Sequence, residues 1–290
     1  MNKKLILASG LALFSSVVNA TENGTDTFAL GAEGVLAGAL PPPGLYLLSY
    51  YQHYQASEFV GSKGQSIIPN FNLEANAVVP RFVWMTEQKV FNGQLGFYAV
   101  QPLVNVDLKI NGQKASEAGL GDFIFAPMLG WHQGNQHWAA AIEGVFPTGD
   151  YKASRMANIG KNYYTVRPIL AYTYHQPQGW DISTKISYSI NSENKDTHYQ
   201  SGNYFAADYA IGYQFYPGLT LGVEGYAFKQ LSSDEVNGEK IAFKGQSLAY
   251  GPAIHYQQKG WSIEAKYLKE TNVENRPEGD STWLKLVWTF

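Results

Sequence analysis

The residues of this 290-residue chain best suited to acid–base or metal chemistry are six histidines, and their spacing argues against both. His53, His132, His137, His175, His198 and His255 include no His-x3-His pair and no His-Glu-x-x-His string, the spacings that bring two imidazoles onto one zinc ion. No serine sits in a Gly-x-Ser-x-Gly elbow. His198 with Asp196 is the one candidate pair for activating water, and a solvated loop explains it more simply. Glu274, Glu278 and Asp280 carry enough charge for calcium, but at no EF-hand spacing, and they read as a charged surface loop. The expectation is a protein that is not an enzyme and has no cofactor and no metal.

A second set of charges is regular. Arg81, Asp122, Glu143, Arg167, Lys185, Asp208, Glu224, Glu264, Lys266 and Lys285 occupy alternate positions in segments whose intervening residues are apolar. A period of two places them on one face of β-strands. Leu248, Tyr250, Pro252, Ile254 and Tyr256 alternate with Ala249, Gly251, Ala253 and His255, and Phe205, Ala207, Tyr209, Ile211 and Tyr213 with Asp208, Ala210, Gly212 and Gln214. At the end of the chain, Phe290, Trp288, Leu286 and Leu284 alternate with Thr289, Val287, Lys285 and Trp283. Such rows suit a strand with lipid on one side and a lumen on the other; a soluble sandwich also alternates, so the connections must decide. On the barrel reading the ten charges point inward as a paired ladder, because unpaired buried charge is costly. Arg81 and Arg167 are expected to pair with acids such as Asp122 and Glu143, whether to stiffen the wall or to meet a substrate.

The pattern predicts about twelve strands, near 44–57, 71–87, 94–108, 120–133, 136–147, 163–175, 179–191, 203–215, 219–230, 246–257, 260–272 and 281–290. Asn92-Gly93, Gly134-Asn135, Pro177-Gln178-Gly179, Tyr216-Pro217-Gly218 and Lys259-Gly260 are tight-turn chemistry. They alternate with polar connections near 58–70, 109–119, 148–162, 192–202, 231–245 and 273–280. A transmembrane antiparallel up-and-down β-barrel with short periplasmic turns and longer extracellular loops is built this way. Phe91, Trp131, Trp138, Trp180, Phe215, Tyr216, Tyr256, Trp261 and Trp288 lie near the short turns, as an interfacial girdle would.

Composition agrees. Lys3 and Lys4 followed by the apolar run Leu5 to Val18 and a Val18-Asn19-Ala20 cleavage pattern predict a secretory signal over residues 1–20. No later run has the ~18 apolar residues of a membrane helix, and the mean hydropathy is -0.24, which a barrel tolerates because only alternate residues meet lipid. With no cysteine, disulfides and thiolate metal sites are excluded; the formal net charge of -3 is dispersed, which gives no footprint for nucleic acid. Residues 21–43 precede the barrel at 44–290, and the Pro41-Pro42-Pro43-Gly44 run keeps them out of the wall. They are either a periplasmic tail or a lumen plug; Phe28, Leu30, Val35, Leu36 and Leu40 favour the plug, being poorly suited to water.

Gly119-Leu120-Gly121-Asp122 with Pro127 and Gly130-Trp131, Pro41 to Tyr46, Phe146-Pro147-Thr148-Gly149-Asp150-Tyr151, Gly160 to Tyr164 with Arg167-Pro168, and Tyr199 to Gly202 occur in that family's order in a chain that resembles the "putative MetA-pathway of phenol degradation", SphA-like outer-membrane transporter family. The resemblance implies a barrel channel of the Gram-negative outer membrane associated with breakdown of aromatic or other hydrophobic compounds, and it carries no catalytic residues. Phe290 resembles the terminal assembly signal of such barrels. The expected function is uptake of small hydrophobic or aromatic compounds, the alternative a structural or surface-interaction barrel. Expected partners are outer-membrane lipid and lipopolysaccharide, the barrel-assembly machinery and a small hydrophobic solute.

Overall fold

The computed structural model describes residue 22 and residues 26–241 and 243–290, so the expected signal at 1–20 lies outside the described residues. Its strands are Gly44–Val60 (β1), Asn72–Val90 (β2), Gly93–Val100 (β3), Leu103–Ile110 (β4), Gln113–Leu120 (β5), Phe123–Gln133 (β6), Gln136–Phe146 (β7), Thr165–His175 (β8), Trp180–Asn191 (β9), Tyr199–Gln200 (β10), Tyr204–Tyr216 (β11), Leu219–Gln230 (β12), Asp234–Val236 (β13), Glu239–Ile241 (β14), Gln246–Gln258 (β15), Trp261–Glu274 (β16) and Arg276–Thr289 (β17). Fourteen of them form one antiparallel sheet, and β1 pairs with both β2 and β17, so the sheet closes on itself. Closure leaves no open edge between the first and last strands.

Two wall strands are interrupted. β2 pairs with both β3 and β4, which are one strand broken at Gln101 and Pro102, and β5 and β6 are another, broken at Gly121 and Asp122. The barrel therefore has twelve wall strands. Pro102 has no N–H to give a ladder, and the Gln101 side chain ties the two breaks together by donating to the Gly121 carbonyl at 2.8 Å.

Tight turns form where left-handed backbone is available. Asn92 and Gly134 have φ of 61° and 58°, and Gly218 and Gly260 lie at 84° and 88°, all at the end of the barrel that also holds Gly44 and Phe290. The opposite end carries the long connections, with two exceptions. Asn111 and Gly112, at φ 50° and 84°, close a hairpin between β4 and β5, and Asn275 alone separates β16 from β17. Stretches 109–119 and 273–280 are thus paired strand rather than the expected loops. Their polar residues resemble loop composition, yet a strand continuing past the bilayer into water keeps its ladder while losing its greasy face.

Outward residues form an apolar belt: Phe82, Ile142, Leu170, Ile211 and Tyr250 are each more than half exposed. A contiguous belt of this kind fits lipid and not water. Near the tight-turn end, Trp180 packs edge-on against Tyr213 with centroids 5.3 Å apart, and Tyr256 against Trp261 at 5.8 Å. Trp131 donates its indole N–H to the Phe91 carbonyl at 3.0 Å, which pairs a polar handle with an apolar body at the interface.

Part of the lumen is filled by the chain itself. Phe28, Leu30 and Ala32 of the N-terminal segment are buried against Tyr50, Tyr204, Tyr226, Phe228, Leu268 and Trp283 of the wall.

Candidate functional site

Residues 26–43 contain no helix or strand, so their buried backbone N–H groups have no ladder and need acceptors from elsewhere. The wall supplies them. Gly31 and Glu33 donate to the two carboxylate oxygens of Asp208 at 2.9 and 3.1 Å, and Val35 to Glu224 at 3.2 Å. Leu36 donates to Ser183 at 3.0 Å and Gly38 to Thr173 at 2.9 Å. Approach this close requires missing side chains. A Cβ on Gly34 would lie 2.0 Å from a Glu224 oxygen, and one on Gly38 would meet the Tyr172 and Thr173 backbone at 2.7–2.8 Å.

At the centre sits Glu33, an acid the strand pattern had no means to find. Its carboxylate accepts from Arg81 Nη1 at 2.6 Å, Lys285 Nζ at 3.0 Å and the Tyr50 hydroxyl at 3.3 Å, with Lys185 Nζ at 3.9 Å. Its carbonyl accepts from Lys266 at 3.1 Å. Glu33 is the sole charged residue between Asp26 and Glu58, and an isolated acid in a Gly/Ala-rich apolar run was the available signal.

All ten ladder residues lie on the inward side, eight of them buried, with Arg81 and Lys285 half-buried. The expected pairing holds for one arginine and not for the other. Arg167 pairs with Glu143, which also accepts from Tyr98, while Arg81 pairs with Glu33 and not with Asp122. Lys266 bridges Glu224 at 2.7 Å and Glu264 at 3.0 Å. Asp122 stands in the break between β5 and β6 and accepts the backbone amides of Gly149 and Lys161, both at 2.9 Å, so it fastens the 147–164 connection instead of joining the ladder. In that connection, burial pulls the Lys161 ammonium below its ordinary value against the opposing pull of Asp26 and Asp122. Sequence also missed Arg276, which donates to Asp26 at 2.9 Å and stacks 4.1 Å over the Phe228 ring. Glu270, also missed, accepts from Tyr54, Tyr226 and the Gly279 amide.

The residues named for a plug are placed as follows: Phe28, Leu30 and Val35 are buried, Leu36 and Leu40 half-buried, and Leu40 packs with Tyr46, Val83 and Met85 toward the tight-turn end. Phe290 is 75 % exposed, and its amide reaches the Leu45 carbonyl at 3.2 Å. His198 bonds Glu193 at 2.8 Å, both exposed, and not Asp196. Among the described residues no group of three potential ligands assembles a metal site.

Between the N-terminal segment and the long-loop end lies a cavity of about 410 Å³. One wall of it is apolar from top to bottom: Leu73, Ala75, Ala77 and Val79 of β2 beside Val104, Val106, Leu108 and Ile110 of β4, all facing inward. Phe59, Ile68 and Phe71 close the top, with the Phe59 and Phe71 rings edge-on at 5.8 Å. The floor is charged, with Arg81, Glu143, Arg167 and Lys185 around Phe28. Barrel lumens are ordinarily polar, so a greasy inward column is a departure that needs a reason.

The fold is that of outer-membrane barrels. The chain is similar to a COG4313 outer-membrane channel from Pseudomonas putida F1, with 19% identity, a TM-score of 0.79, and coverage of 87% of this chain and 97% of that one. It is also similar to the translocator domain of the autotransporter NalP from Neisseria meningitidis, at 11% identity and TM-score 0.50, covering 87% of this chain and 91% of that one. The β domain of the Bordetella autotransporter BrkA gives 8% identity and TM-score 0.50, over 86% of this chain and 100% of that one. No curated protein matches the sequence. Residues 56–286 match the family described as "Putative MetA-pathway of phenol degradation", and the chain belongs to that family.

Proposed function

We propose that the protein is an outer-membrane channel through which small hydrophobic compounds, aromatic ones included, enter a Gram-negative cell. The observation that carries this reading is the apolar inward column of β2 and β4 above the N-terminal segment. A pore for hydrophilic solutes gains nothing from Leu73, Val79, Val106 and Leu108 facing its lumen, whereas a hydrophobic solute recovers roughly 25 cal/mol for each Å² of apolar surface it buries there. The family description, with its link to phenol degradation, and the likeness to an outer-membrane channel support the same reading.

On this reading the N-terminal segment is a plug that denies a water path. A solute enters at the long-loop end, rests against the column, and leaves through the wall or past a displaced plug. Pro102 and Gly121, at the two strand breaks, both border the cavity and offer a seam toward the bilayer.

Uptake of a labelled aromatic hydrocarbon by cells carrying the wild-type protein or Val106→Asp tests the proposal, with the lipopolysaccharide leaflet suppressing background entry. Faster uptake with the wild type than with an empty strain, lost in the variant, is the expected result. Equal uptake in all three would overturn it.

A further inference from the structure

The floor of the cavity has a cation without a hydrogen bond to any of the described residues. Lys185 is 9% exposed and borders the cavity, yet among the described residues its ammonium, which has three donors, meets only Glu33 Oε1 at 3.9 Å and the face of Phe28 at 5.0 Å. Those donors open on the cavity, where an acceptor on a bound molecule can reach them. The neighbouring acids are already engaged. Glu33 is held by Arg81 at 2.6 Å and Lys285 at 3.0 Å, Asp208, directly across the β9–β11 register, takes the Gly31 and Glu33 amides, and Glu143 takes Arg167 and Tyr98. Arg81, on the same Glu33 oxygen as Lys185, borders the cavity too, and its Nε has no partner among the described residues.

We propose that the cavity binds a small amphipathic carboxylic acid, an aromatic carboxylate in the simplest case, and that Lys185 selects for its charge; this rests on the channel reading above. The carboxylate supplies the acceptor that Lys185 lacks, with Arg81 beside it, and charge-assisted bonds of this kind are the stronger class. The apolar body then lies on the column that begins at Val79, two residues along the same face of β2 from Arg81. Phe28 forms the surface beneath it. Head and body requirements therefore meet at one place, with charge below and grease at the side.

Calorimetry on the purified barrel in detergent at neutral pH, with benzoate and benzyl alcohol as probes, tests this in the wild type, Lys185→Met and Lys185→Arg. Because Glu33 keeps Arg81 and Lys285, Lys185→Met should stay folded, and heat-modifiable mobility checks that. Benzoate is expected to bind the wild type more tightly than benzyl alcohol, to weaken about tenfold or more in Lys185→Met, and to recover in Lys185→Arg, while benzyl alcohol stays unchanged throughout. Equal benzoate affinity in wild type and Lys185→Met would overturn the assignment of Lys185. Benzyl alcohol binding as tightly as benzoate in the wild type would overturn the acid selectivity and leave the channel reading standing. Binding of neither probe would count against both.

Discussion

Glu33→Gln separates a docked N-terminal segment from one that merely lies in the lumen. Glu33 is 7% exposed and faces three cations, at 2.6, 3.0 and 3.9 Å, so the substitution leaves Arg81, Lys285 and Lys185 around a neutral amide. Removing one partner from a buried ion pair costs roughly 3–5 kcal/mol. The lower end applies here, because the glutamine carbonyl still accepts from Arg81 and the amides of residues 31–38 keep Asp208, Glu224, Ser183 and Thr173. A loss of about 3 kcal/mol shifts the equilibrium between docked and released segment by about a hundredfold. The cost falls on docking rather than on the wall, whose ladder of backbone bonds is untouched. In planar bilayers the variant should therefore show frequent large openings that the wild type lacks, and residues 26–43 should become open to added protease. Glu33→Asp, which keeps the charge, should lie between the two. Wild-type conductance and protection in Glu33→Gln would refute the idea that this carboxylate holds the segment in place.

The remaining expectations concern the wall and its assembly. Because β1 pairs with β17, unboiled protein in detergent should migrate faster than boiled protein, and equal mobility would count against a closed barrel in solution. Deleting Phe290 should reduce the amount of folded protein in the membrane more than the stability of what has folded, since the ring is exposed and its removal uncovers no core; normal membrane levels would contradict this. Arg167→Ala should leave Glu143 with Tyr98 alone and strip partners from Ser189 and Thr27, destabilising the barrel by roughly 3–5 kcal/mol in urea melts, less where water enters. A change under 1 kcal/mol would mean the pair is solvated.

The wall was legible because its signals are local. Period-two alternation sets the face of every strand, and Asn and Gly at the turns set where strands end, as at Asn92 and Gly260. Asn111-Gly112 carries the same chemistry, but Lys109, Gln113, Lys114 and Glu117 beside it give the stretch the polar composition of a long loop. The partners within the ladder were less legible. Parity says that Arg81 and Asp122 share a face, but height and neighbour depend on stagger between strands, and Asp122 stands where its strand breaks. Glu33 stands out only as a lone acid in an apolar run, and its partners are not legible: residues 26–43 have no period, and their conformation is dictated by acceptors contributed by strands far along the chain.

That distance orders the assembly of the molecule. The acceptors for the amides of Gly38, Leu36, Gly31 and Val35 come 135, 147, 177 and 189 residues later, and Lys285, which clamps Glu33, comes 252 residues later on the final strand. Until those strands stand side by side, the segment has no seat, and contacts spanning so much chain form late. The residues that begin the described chain are thus the last to settle. An unclosed barrel offers them nothing to hold, so an ordered N-terminal segment marks a molecule whose first and last strands have already met.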